Sequence, residues 1–277
     1  YFLKPGIPQQ DLYCHLPVKI ETAFQDCLVS KDANETERSI FLVGDSHASN
    51  HHWSIENALK KVRTRFTIKT LVEYGFTRFL IGENGCAAQK ICIEDADMAY
   101  KGFFHEHLKA GDFLFLSLAR DKFADGEFNG LIRKQKHQKL QILHNRLLDL
   151  VRIAEKQGAN IVLIGDIPKV CLKDINYRHD VVRKGNTELC TVENAISIAD
   201  RDGLNNVFMN IAMMSNSVLF VDPHDELCYD EFCSVTNRKG NVLYSDTSPH
   251  FSEDSKSILA DFWAKTLIQL GMGEQIS

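Results

Sequence analysis

Five short apolar runs, rich in β-branched and aromatic residues, alternate along the chain with stretches of helical periodicity. The runs are Ser39–Val43, Phe66–Val72, Asp112–Leu118, Asn160–Ile164 and Ser217–Val221. Near-continuous apolar strands of this kind are buried on both faces, and the intervening helical segments are what cover them. The pattern predicts a three-layer α/β/α sandwich around a central five-stranded parallel sheet, of flavodoxin-like type. The sequence has 277 residues, 44% of them hydrophobic and 25% charged, enough apolar material for one substantial core. One domain over 38–277 is therefore expected, with 1–37, containing Pro5, Gly6 and Pro8, as an extended lead-in packed on it.

The helices can be placed by their punctuation. Leu140, Leu143, Leu147, Leu150 and Val151 recur at three- and four-residue spacing in Lys136–Lys156, and Gly158 supplies the stop. Val192–Met214 is a second helix, with a break expected at Gly203. A last helix opens on Ser252 as N-cap, has Glu253 and Asp254 in its first turn, and runs to about Leu270 before Gly271. Ala119–Lys136 reads as a polar surface excursion.

In open α/β sheets, ligands bind outside the carboxyl ends of the strands, so the residues that follow the runs are the first candidates for chemistry. Gly44-Asp45-Ser46-His47-Ala48 follows the first run and places Ser46 at the start of a helix. A serine hydroxyl needs a base to become a nucleophile, and backbone N–H groups at a helix start help hold the oxyanion that forms. Gly44 permits the tight turn and Asp45 can brace it. The alternative is an ordinary strand-to-helix turn capped by Ser46. Far along the chain, Tyr244-Ser245-Asp246-Thr247-Ser248-Pro249-His250-Phe251-Ser252 puts a carboxylate and an imidazole on one loop just ahead of the last helix. Asp246 can orient His250, whose other nitrogen then faces the serine.

These two blocks resemble the GDS(L/H) and DxxH motifs of the SGNH (GDSL-like) hydrolase superfamily. More specifically, the chain resembles the C-terminal periplasmic SGNH domain of bacterial acyltransferase-3 family membrane proteins, which O-acylate cell-surface polysaccharides. The likeness runs from Cys14 and Cys27 through Asn84-Gly85-Cys86, Leu118-Ala119-Arg120, Asp166-Ile167-Pro168 and Val221-Asp222-Pro223 to Tyr244 and His250. It implies an SGNH hydrolase fold and serine-dependent O-acyl transfer, O-acetyl above all, with Ser46, His250 and Asp246 as the catalytic group. It further implies that Gly85, Arg120, Asp45 and His47 line the oxyanion and substrate pocket. Two departures are visible. The family's Asp lies three residues before the His, where this chain has Thr247, with Asp246 one position earlier. The superfamily's oxyanion Asn block is not recognisable.

The eight cysteines fall into sequence-local pairs, Cys14 with Cys27, Cys86 with Cys92, Cys171 with Cys190 and Cys228 with Cys233. An even count in loop-rich positions, with no tight CxxC or Cys/His cluster for zinc, fits disulfides formed in an oxidising compartment; buried reduced thiols are the alternative. His47 and His51 lie one helical turn apart, but no carboxylate or cysteine at suitable spacing completes a metal site, and neither metal nor cofactor is expected. A net charge of -5 and a pI near 6.1 exclude a phosphate-neutralising surface, so nucleic acid is not an expected partner. The resemblance implies a glycan acceptor and a membrane acyltransferase domain that delivers the acyl donor as partners. The chain starts at Tyr1 without a signal-peptide pattern, and we read it as a piece of a longer protein; the cysteines point to the periplasmic or extracellular face, and the resemblance implies a tether to the inner membrane. A secreted carbohydrate O-acetyl esterase and a non-catalytic glycan-binding domain are the rival readings.

Overall fold

The computed structural model describes residues 38–64, 66–72, 74–81, 93–119, 132–168, 170–171, 180–181, 183–245 and 250–275. Along the chain these form β1 (Arg38–Gly44), α1 (Ser46–Lys61), β2 (Val62–Thr64), β3 (Phe66–Val72), α2 (Tyr74–Ile81), α3 (Ile93–His107), β4 (Phe113–Ser117) and α4 (Ile132–Gln157). There follow β5 (Asn160–Ile164), β6 (Thr191–Glu193), α5 (Asn194–Met214), β7 (Val218–Val221), α6 (His224–Leu227), β8 (Cys228–Tyr229), β9 (Phe232–Ser234), α7 (Glu253–Gln269) and β10 (Gly273–Gln275). The lead-in, residues 1–37, lies outside the described residues, as do Gly85, Arg120, Asp246, Cys14, Cys27, Cys86 and Cys92.

The five apolar runs form one parallel sheet in the order β3-β1-β4-β5-β7. Because side chains alternate across a strand, each run feeds two cores. Phe41, Val43, Leu114, Leu116, Ile161 and Leu163 face α2, α3, α4 and α5 on one side. Ile40, Leu42, Phe113, Phe115, Val162 and Ile164 face α1 and α7 on the other, where Trp263 is wholly buried. The three-layer sandwich is therefore present. Its second layer brings α1 and α7, far apart in sequence, side by side.

Two expectations are corrected. The helix α5 runs unbroken through Gly203 and begins at Asn194, since Val192 is taken by β6, which pairs with β9. A mid-helix glycine costs about 1 kcal/mol, and docking Arg201, Leu204, Phe208 and Ile211 on the sheet offsets it. The helix predicted over Lys136–Lys156 starts earlier, at Ile132. The short pairings β6-β9-β8 and β10-β2 were not anticipated. Among the described residues no helix is long and apolar enough to cross a membrane.

Candidate active site

The serine turn is built by Gly44 and Asp45. Gly44 ends β1 with φ +149°, and a Cβ there would lie 1.8 Å from the Ser117 carbonyl oxygen on β4, so no side chain fits. Asp45 caps α1. One carboxylate oxygen accepts the His47 N–H (3.0 Å); the other accepts the Ala119 N–H (2.9 Å) and the Thr77 hydroxyl (3.4 Å). One buried side chain thus ties together the helix start, the end of β4 and α2. Burial pushes its carboxyl above the ordinary range, and neighbouring His47 and the N–H donors oppose that shift. Ser46 is the first residue of α1 and is half-buried.

Asp45 and His47, grouped with the pocket in the sequence reading, turn their side chains into protein. His47 places Nδ1 2.6 Å from Asp166, a carboxylate that also accepts the Ile167 N–H. The Asp166 backbone carbonyl accepts from Arg201, whose guanidinium also reaches Asp222 (2.9 and 3.1 Å), and Asp222 accepts the His224 N–H. A polar chain therefore runs beneath the carboxyl ends of β1, β5 and β7. The neighbouring histidines diverge. His52 bonds Thr70 (2.7 Å), while His51 is fully buried with edge contacts to Phe251 and Trp263. Neither ring nitrogen of His51 has a hydrogen-bond partner among the described residues, and burial lowers its pKa to about 3.

His250 leads into α7 on a clasp of hydrogen bonds between neighbouring residues. Its carbonyl accepts from Ser245 N (2.7 Å) and Ser245 Oγ (3.1 Å), Tyr244 bridges Phe251, and Ser252 caps α7 through the Ser255 N–H. The next residue, Phe251, donates its N–H to Asn50 Oδ1 at 3.1 Å. Asn50 stands one turn beyond Ser46 on α1, about 6 Å along the axis. The residue adjacent to His250 is thus docked one helical turn from the serine. Sequence reasoning missed Asn50, Thr77, Arg201 and the Asp166–His47 pair. Asp166 and Asp222 carried a signal, each standing at the end of a strand. Asn50, Thr77 and Arg201 sit within helices and look like ordinary helix residues.

Two disulfides are formed among the described residues, Cys171–Cys190 and Cys228–Cys233. Contrary to the reading that no Cys/His cluster occurs, His224 lies against the second, with Nε2 3.3 Å from Cys228 Sγ and 3.5 Å from Cys233 Sγ. Burial lowers the His224 pKa.

A half-buried serine on the turn after β1 of a parallel sheet ordered β3-β1-β4-β5-β7, with the residue after His250 docked on the same helix, fits a hydrolase-type acyltransferase of the SGNH class. The family model described as "SGNH domain (fused to AT3 domains)" matches residues 13–265, and the chain belongs to that family. Among solved structures, the fold is similar to the periplasmic domain of a lipopolysaccharide acetyltransferase of Salmonella ser. Paratyphi A. That likeness has a TM-score of 0.61 at 14% identity and covers 94% of each chain. More distant matches are an aryl esterase of M. smegmatis (TM-score 0.48, 11% identity, 84% of this chain and 99% of that one) and a putative acylhydrolase of Bacteroides fragilis (TM-score 0.44, 9% identity, 87% and 91%). No curated protein sequence matches.

Proposed function

We propose that this chain is the extracytoplasmic catalytic domain of a membrane acyltransferase and moves an acyl group, an acetyl first of all, onto a cell-surface polysaccharide through Ser46. His250 takes the Ser46 proton as Oγ attacks the donor carbonyl, and returns it to the leaving oxygen. An acyl–Ser46 ester is left. A sugar hydroxyl, deprotonated by the same imidazole, then takes the acyl group and regenerates the serine. The start of α1 supplies positive backbone dipole to the oxyanion, with Gly85 and Arg120 completing that pocket. Asp246 orients His250; both carboxylate oxygens of Asp45, the other candidate, are already engaged by three donors.

The observation that supports this reading is the Phe251–Asn50 hydrogen bond, which holds the residue after His250 against the helix that begins at Ser46. Family membership supports the membrane context. The test is polysaccharide O-acylation by the intact protein that contains this chain, wild type against Ser46→Ala. Loss of O-acyl groups from the glycan is expected, and undiminished O-acylation would refute the role. Release of acetate from an acetylated glycan by the chain alone, without transfer in the intact protein, would favour the esterase.

A further inference from the structure

His224, Cys228 and Cys233 form a second cluster of chemistry-bearing side chains, and acyl transfer has no use for it. The short α6 sets His224 one turn ahead of Cys228, and the β8–β9 hairpin puts Cys228 directly across from Cys233. Three donor atoms, Nε2 and two Sγ, lie within 4.8 Å of one another. The imidazole is buried, with Nδ1 3.2 Å from the Asp225 carboxylate. In the tautomer that donates Nδ1–H to that carboxylate, the Nε2 lone pair faces the two sulfurs. This is how histidine ligands are commonly oriented. A disulfide that only staples a hairpin needs no imidazole aimed between its sulfurs, whereas a metal held by two thiolates and one histidine does.

We propose that His224, Cys228 and Cys233 form a dithiol–imidazole site for a borderline-soft divalent cation, zinc first, closed while the Cys228–Cys233 bond exists and opened by its reduction. A dithiol reductant supplies two electrons and two protons: the S–S bond breaks, two thiols form, and the reductant closes its own disulfide. The cation then displaces both thiol protons to solvent and gains two metal–sulfur bonds and one metal–nitrogen bond. With Zn–S near 2.3 Å in a tetrahedral site, the sulfurs must part to roughly 3.7 Å. Rotation about the side-chain bonds provides this while the hairpin Cα atoms stay 4.3 Å apart. The fourth position goes to water or to Asn194 Oδ1, 3.7 Å from Cys233 Sγ.

The test compares the chain reduced by a dithiol and desalted without oxygen, the same chain oxidised, and a reduced Cys228→Ser/Cys233→Ser variant. Each is titrated with zinc alone against a chromophoric chelator. Cobalt substitution reports sulfur ligation by its absorption. The reduced wild type is expected to hold one zinc more than the oxidised chain and the double variant, which retains all the other cysteines. Reduced His224→Ala keeps both thiols and should bind that zinc at least about tenfold more weakly. Equal zinc uptake by reduced wild type and the double variant would overturn the site. So would undiminished affinity in His224→Ala, which is also the result expected if reduction merely unfolded the hairpin and exposed its thiols.

Discussion

The turn that carries Ser46 is locked by a buried carboxylate, whereas His250 is held by hydrogen bonds to its own carbonyl and by the docking of its neighbour Phe251. Asp45 reaches three elements through side-chain hydrogen bonds and leaves no solvent-facing slack, and Gly44 seals the same turn against β4. On the other side, the His250 carbonyl accepts from the backbone N–H and the side-chain hydroxyl of Ser245, and the Phe251 N–H reaches the Asn50 side chain on α1. Substitutions of Gly44 and Asp45, which build the serine turn, should therefore disturb folding and chemistry together. Loss of the Asn50 anchor beside the histidine should lower the rate more than the stability. Positioning of this kind matters because a base displaced by about 1 Å can lower the rate by two orders of magnitude.

The comparison is broken most directly at the serine itself. Ser46→Ala should lower hydrolysis of an activated ester by about 10⁴-fold or more with the melting temperature unchanged. Retained turnover in that variant would remove the nucleophile from this turn. Gly44→Ala should destabilise the chain by more than about 4 kcal/mol or prevent folding, because the new methyl group would collide with the Ser117 carbonyl. A urea midpoint like that of the wild type would show that the turn is not sealed as described.

Acid stability probes the histidine side. His51 packs on Phe251, and its pKa falls from 6.5 to about 3 on folding, so below pH 6.5 the unfolded chain takes up a proton that the folded chain refuses. Stability from this group is intact above pH 6.5 and declines as the pH drops toward 3, by about 3 kcal/mol at pH 4. Asp45, whose carboxyl is raised, acts in the opposite direction: protonation relieves its burial as pH falls through that raised value. His51→Leu should therefore flatten or reverse the acid decline in a denaturant series from pH 7 to pH 4. An unchanged decline would place the sensitive group elsewhere.

The smallest effect is the most discriminating. Asn50→Ala removes the anchor under Phe251 and should cost about 1 kcal/mol of stability while lowering kcat about 10- to 100-fold, with KM little changed. A stability loss without any change in kcat would mean that the Asn50 contact does not position the base.

The parts of this arrangement that were legible in the sequence are local patterns. Five runs of buried strand, a Gly-Asp-Ser-His turn and a histidine just before a capped helix are each written in consecutive residues, and the parallel sheet follows from their alternation with helices. The sequence was silent where a contact joins distant residues. Thr77 under Asp45, Asn50 under Phe251 and Arg201 between Asp166 and Asp222 are partners only because the sheet order and the α1–α7 packing bring them together. Gly203 misled because propensity is a weak prior: one glycine is outvoted by a face of α5 docked on the sheet. The hairpin that collects His224, Cys228 and Cys233 rests on strands of two and three residues, too short to leave a periodic signal.

Reaction with a fluorophosphonate tests the central pairing, since it requires an activated serine but no knowledge of the natural donor. Mass spectrometry of the labelled chain should find a single phosphonyl group on Ser46, attached at least about 100-fold more slowly in His250→Ala. Labelling at Ser46 that proceeds equally fast without the imidazole, or no labelling at all in the folded wild type, would contradict the account.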